Sequence, residues 1–146
     1  MQYKHVLAAV DLSPQSKQVA TRALELTERN NASFDIVHVV EQSPLAYGGE
    51  FSIPINVNLE HAIETEARKQ LSTLCNELNI STKNQHVLVG AVKTTVLELA
   101  VQLKIDLIVV GTHEHHGLDI LLGSRANAIL HGAKCDVLAV RAKESK

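Results

Sequence analysis

Two short stretches of this chain gather residue types able to do chemistry. The first is Asp11-Leu12-Ser13-Pro14, directly after the apolar run Tyr3 to Val10. A carboxylate and a hydroxyl where a strand gives way to a helix can orient a ligand or satisfy free backbone N–H groups. Ser13 is expected to cap the helix, with Pro14 at the first helical position, where its missing N–H costs nothing. The second stretch runs from Gly111 through Thr112 and His113 to Gly123-Ser124. Glycines let backbone come close to phosphate, and a Gly-Ser step that opens a helix presents N–H groups to an anion. Between these lie His113, Glu114, His115 and His116, the densest set of metal-capable side chains in the sequence. Metal ligands must converge on one point, which neighbouring loop residues seldom do, so the expectation is a polar loop and no metal site.

The elements that must position these stretches follow from hydrophobic periodicity. Val19, Ala23, Leu24 and Leu26 recur at helical spacing until Asn30-Asn31 stops them. Phe34 to Val40 is short, apolar and rich in β-branched residues, as a strand covered on both faces should be. Glu41 to Asn58 holds Pro44, Gly48, Gly49 and Pro54 and reads as a long connection. Leu59, Ile63, Ala67, Leu71 and Leu78 then mark an amphipathic helix, with Glu60, Glu64 and Arg68 on its wet face. The pattern continues with a strand at His86 to Val89, a helix through Val96, Leu97, Ala100 and Leu103, and a strand at Asp106 to Val110. It closes with a helix from Ser124 to Leu130, ended by Gly132, and a strand at Cys135 to Val140. Strands and helices that alternate in this way call for an α/β domain over residues 1–146, with a doubly wound, Rossmann-like parallel sheet covered on both faces. A reversal of winding between the first and fourth strands, order 3-2-1-4-5, would open a crevice at their carboxyl ends, where both chemical stretches meet.

Composition narrows the function. With 146 residues, 45% of them hydrophobic, the chain can bury a core without staples. Cys75 and Cys135 are far apart and form no C-x-x-C pair, which suits a reducing cytoplasm. The start Met1-Gln2-Tyr3-Lys4-His5 runs straight into a strand, so no signal peptide is expected, and no apolar run reaches the roughly 18 residues of a membrane span. A net charge of -2 and only 3% aromatics argue against nucleic acid as a partner. Phosphate-loop, dinucleotide-turn and nucleophile-elbow motifs are absent, so no catalytic residue is assigned. His5, His38, His61, His86 and His131 are scattered, and His38, within an apolar strand, is expected to be a hydrogen-bonded structural residue.

Ala8-Ala9-Val10-Asp11-Leu12-Ser13-Pro14 and Leu107-Ile108-Val109-Val110-Gly111-Thr112-His113 together resemble the universal stress protein family. The likeness extends over the whole chain, through Val37-His38-Val39, Leu122-Gly123-Ser124 and Val137-Leu138-Ala139-Val140, and is strongest toward the universal stress protein A branch. It implies a cytoplasmic, non-enzymatic stress-response module. Many members bind ATP through a Gly-x2-Gly-x9-Gly-Ser/Thr signature. Here Gly111 and Gly123-Ser124 match its ends, but Glu114 stands where the second glycine belongs and the following gap is one residue short. A carboxylate there would face phosphate charge, so ATP or AMP is not favoured as a cofactor. If nucleotide binds, the resemblance assigns Asp11 and Val39 to the nucleoside end and Gly111, His113, Gly123 and Ser124 to ribose and phosphates. The alternative for Asp11 is a turn cap, for Val39 the core, and for Ser124 a helix start. The resemblance also implies a homodimer. Val137, Leu138 and Val140 would lie on an apolar sheet edge that the short charged tail Arg141 to Lys146 cannot cover, and the same strand of a second copy would pair it.

Overall fold

A computed structural model describes residues 2–41, 57–112 and 124–141. In chain order the elements are β1 (His5–Ala9), α1 (Ser16–Asn30), β2 (Ser33–Val40), α2 (Val57–Glu77), a short 3-10 helix (Thr82–Asn84), β3 (Gln85–Val89), α3 (Val92–Gln102), β4 (Leu107–Gly111), α4 (Ser124–Gly132) and β5 (Asp136–Val140). All strand pairs are parallel, and the sheet order is β3-β2-β1-β4-β5, the doubly wound arrangement expected.

Alternate residues of the strands feed two cores. Val6, Ala8, Ile36 and Val109 face α1 and α2, where Val19, Ala23, Leu71 and Cys75 meet them. Leu7, Val37, Ile108 and Val110 face the other layer, packed by Val96 and Leu99 of α3 and by Ala126 and Ile129 of α4. Strands buried on both sides explain why β1, β2 and β4 read as nearly unbroken apolar runs. α1 ends as its sequence requires: Asn31 adopts the left-handed conformation at φ 52°, and the Ala32 N–H reaches back to the Thr27 carbonyl.

Three local expectations need correction. α1 starts at Ser16, with Gln15 as its N-cap and no side-chain capping bond, so Ser13 and Pro14 precede the helix instead of opening it. The Asp11 carboxylate outcompetes the Ser13 hydroxyl: it accepts the Ser13 N–H at 2.9 Å and the Ser16 hydroxyl at 3.2 Å, an Asx-type turn that uses up one residue's reach. β4 starts at Leu107, one residue after the expected Asp106, whose side chain accepts the N–H groups of Lys4 and His5. α2 begins at Val57, inside the stretch read as connection, while 42–56 lie outside the described residues.

Candidate functional site

The order β3-β2-β1-β4-β5 places β1 and β4 side by side with their following helices on opposite faces, and the crevice expected there is present. It holds a cavity of about 260 Å³. Asp11, Val39, Gly111 and Ser124 all line it, so four residues drawn from three separate parts of the sequence come together. His113 and Gly123 lie outside the described residues, as do Glu114, His115 and His116.

Each of the four has a structural role beside any functional one. Asp11 organises the β1–α1 turn through the bonds given above. Val39 is 7% exposed and packs into the α3–α4 core. A Cβ at Gly111 would stand 3.0 Å from Val19 Cγ2, so the close seating of α1 on β4 also calls for glycine. Ser124 opens α4, whose amino end carries partial positive charge toward the crevice.

The sequence reading missed other residues of the crevice. Arg125 lines it and is paired through Nε with Glu41 at 3.0 Å, a partly exposed contact of small energetic weight. Gln15 lines it as well, next to Ser13 of the first chemical stretch, and Ser13 Oγ and Gln15 Oε1 are buried with no hydrogen-bond partner among the described residues. The backbone is strained at the same place, since Leu12 sits at φ 64°, a conformation costing a side-chain-bearing residue about 1–2 kcal/mol. His38 behaves as expected. Its Nδ1 lies 2.9 Å from the Val10 carbonyl, which can only accept, so Nδ1 carries the hydrogen.

The remaining described histidines and cysteines do not line the crevice. His5 and His86, read as scattered, instead share one carboxylate: their Nε2 atoms lie 2.5 and 2.8 Å from the two oxygens of Asp35 at the amino ends of the strands. Neighbouring strands make this pairing, and no sequence spacing announces it. Among the described residues no set of three His, Cys, Asp or Glu side chains is arranged to hold a metal ion. Burial pushes the Cys75 thiol up to about 11 and raises Cys135, so neither supplies a thiolate near neutral pH. No described helix is long and apolar enough to cross a membrane.

Known proteins agree with this geometry. A family model described as the universal stress protein family matches residues 2–141. Over 144 residues the chain is 66% identical to universal stress protein A homolog 1 of Coxiella burnetii, spanning 99% of this chain and 100% of that one. Among solved structures it is similar to the universal stress protein UspA of Lactobacillus plantarum, with a TM-score of 0.79 and 25% identity over 97% of this chain and 99% of that one. It is also similar, at a TM-score of 0.61 and 25% identity over 98% of this chain and 100% of the other, to a universal stress protein solved in complex with cAMP.

Proposed function

Because this chain belongs to the universal stress protein family, we propose that it is a cytoplasmic stress-response module that binds an adenine nucleotide without turning it over and works as a homodimer. The observation that carries the nucleotide reading is the crevice itself, where Asp11, Val39, Gly111 and Ser124 meet around one cavity. A similar protein solved with cAMP supports an adenine nucleotide as the class of ligand. The incomplete signature, with Glu114 in place of its second glycine, opposes ATP and AMP alike, but the repulsion from a carboxylate grows with the phosphate charge it meets. A single phosphate at the amino end of α4 avoids most of that repulsion, so a monophosphate such as AMP fits better than ATP.

The non-enzymatic part of the reading rests on how the candidate groups are used. Asp11 is committed to its turn and His38 Nδ1 to the Val10 carbonyl. Neither forms a nucleophile–base pair among the described residues. The homodimer rests on β5, an edge strand whose Val137, Leu138 and Val140 are each only half-buried within one copy. A second copy pairing along this edge would cover them by two-fold symmetry.

Calorimetric titration of nucleotide-free protein tests the first part. Micromolar binding of AMP, weaker binding of ATP with Mg²⁺, and no released phosphate are expected, with Glu114→Gly narrowing the gap between the two. Absence of heat with either nucleotide would remove the reading. For the second part, Val137→Lys with Val140→Lys should turn dimers into monomers by light scattering, and dimers that persist would rule out the β5 edge.

A further inference from the structure

We propose that Gln15 reads the base: its side-chain carbonyl accepts a hydrogen bond from the 6-amino group of an adenine seated on the β1–α1 side of the crevice. This rests on the nucleotide reading above and adds the residue that recognises the ligand's base.

The starting observation is an unmet need. Gln15 is 8% exposed, it lines the cavity, and its Oε1 is enclosed with no donor among the described residues. Ser13 Oγ, two positions earlier, is in the same condition and lines the same cavity. Buried polar atoms in folded proteins are almost always bonded, because leaving one unbonded forfeits its whole hydration. Two orphans in one turn, both at the wall of one cavity, are what a binding site looks like before its ligand supplies the missing partners. The strained Leu12 between Asp11 and Ser13 helps hold that turn in place.

Charge decides which end of a nucleotide arrives here. The Asp11 carboxylate lies beside Ser13 and Ser16, so this side of the crevice repels phosphate. The opposite side presents the amino end of α4 and the Arg125 guanidinium, both of which attract it. The phosphate therefore lies toward α4 and the base toward Gln15, with Val10 and Val39 offering apolar surface to the ring. A carboxamide presents an acceptor beside a donor, and adenine presents an amino donor beside a ring-nitrogen acceptor, so the two edges match in a bidentate pair.

The test is a cycle between one atom group of the ligand and one side chain. AMP is compared with purine riboside 5′-monophosphate, which lacks the 6-amino group and puts nothing in its place, on wild type and on Gln15→Met. The wild type should bind AMP about tenfold more tightly than the analogue. Gln15→Met should bind both alike and more weakly than the wild type binds the analogue, which keeps the ring-nitrogen half of the pair, while the free variant melts no lower than wild type because an unbonded acceptor has gone. A lower melting temperature together with a retained preference would make Gln15 structural and overturn the proposal. Equal affinities in the wild type overturn it without recourse to any variant. Wild type that binds neither nucleotide fails the parent reading and this one with it, a result distinct from binding without preference.

Discussion

The two ends of the sheet are built on opposite terms. At the amino ends of the strands, polar groups are matched to partners. Asp106 takes the N–H groups of Lys4 and His5 at 2.8 and 3.0 Å, Asp35 takes His5 and His86, Asn84 reaches the Phe34 carbonyl at 2.7 Å, and the Tyr3 hydroxyl donates to Asp136 at 2.8 Å. At the carboxyl ends there is a cavity, and two buried polar atoms on its wall are without described partners. One end ties the strands together, and the other leaves polar atoms unbonded where the proposed ligand would bind. A fold can carry such unmet groups only if its stability is secured elsewhere, which is the physical reason the two ends differ.

Breaking the closed end should therefore cost stability and leave binding alone. Asp35 is 7% exposed and its two oxygens serve imidazoles from the strands on either side, so it joins β1, β2 and β3 at once. Asp35→Ala leaves both Nε2 atoms without their acceptor and opens a small void beneath them. A loss of about 2–3 kcal/mol in urea unfolding is expected, the range for hydrogen bonds to a charged, largely buried group. AMP affinity should stay within about twofold of wild type, since the crevice shares no residue with this cluster. A large loss of affinity would mean that the two ends are not independent, and the contrast drawn here would fail.

The same contrast explains what was legible in the sequence. Elements were legible because burial on both faces writes long apolar runs into β1, β2 and β4 and helical spacing into α1 and α2. Four crevice residues were legible because strand ends, glycine and helix starts leave marks in residue type, and resemblance to a family supplied their roles. The bonding of either end was not. Asp35 passes unremarked inside the run Phe34 to Val40, and only the register that sets Leu7 against Asp35 and Val37 against His86 shows what it does. Gln15 carries no signal at all. It sits as the N-cap of α1 just past the Asp11 turn, whose bonds to Ser13 and Ser16 also defeated the expected Ser13 cap. Local propensity lost there to a side chain already committed to the turn.

The smallest effect sharpens the comparison by pH. Tyr3 donates its hydroxyl to Asp136, and that bond, then burial, then the negative charges of Asp136, Asp106 and Cys135 hold the phenol neutral above its ordinary value of 10.0. With the folded value raised above the unfolded one, the stabilisation is complete below about pH 10 and disappears as pH climbs through the folded value. Tyr3→Phe removes the bond at every pH. The variant should thus be about 0.5 kcal/mol less stable at neutral pH, a modest figure because the contact is open to solvent, and should draw level with wild type in strong alkali. Measuring both proteins at each pH subtracts every ionisation that the two have in common. A difference that stays constant from pH 9 to 12 would show that the hydroxyl's proton is not what couples β5 to the start of the chain, and would leave Asp35 as the chief tie at the closed end.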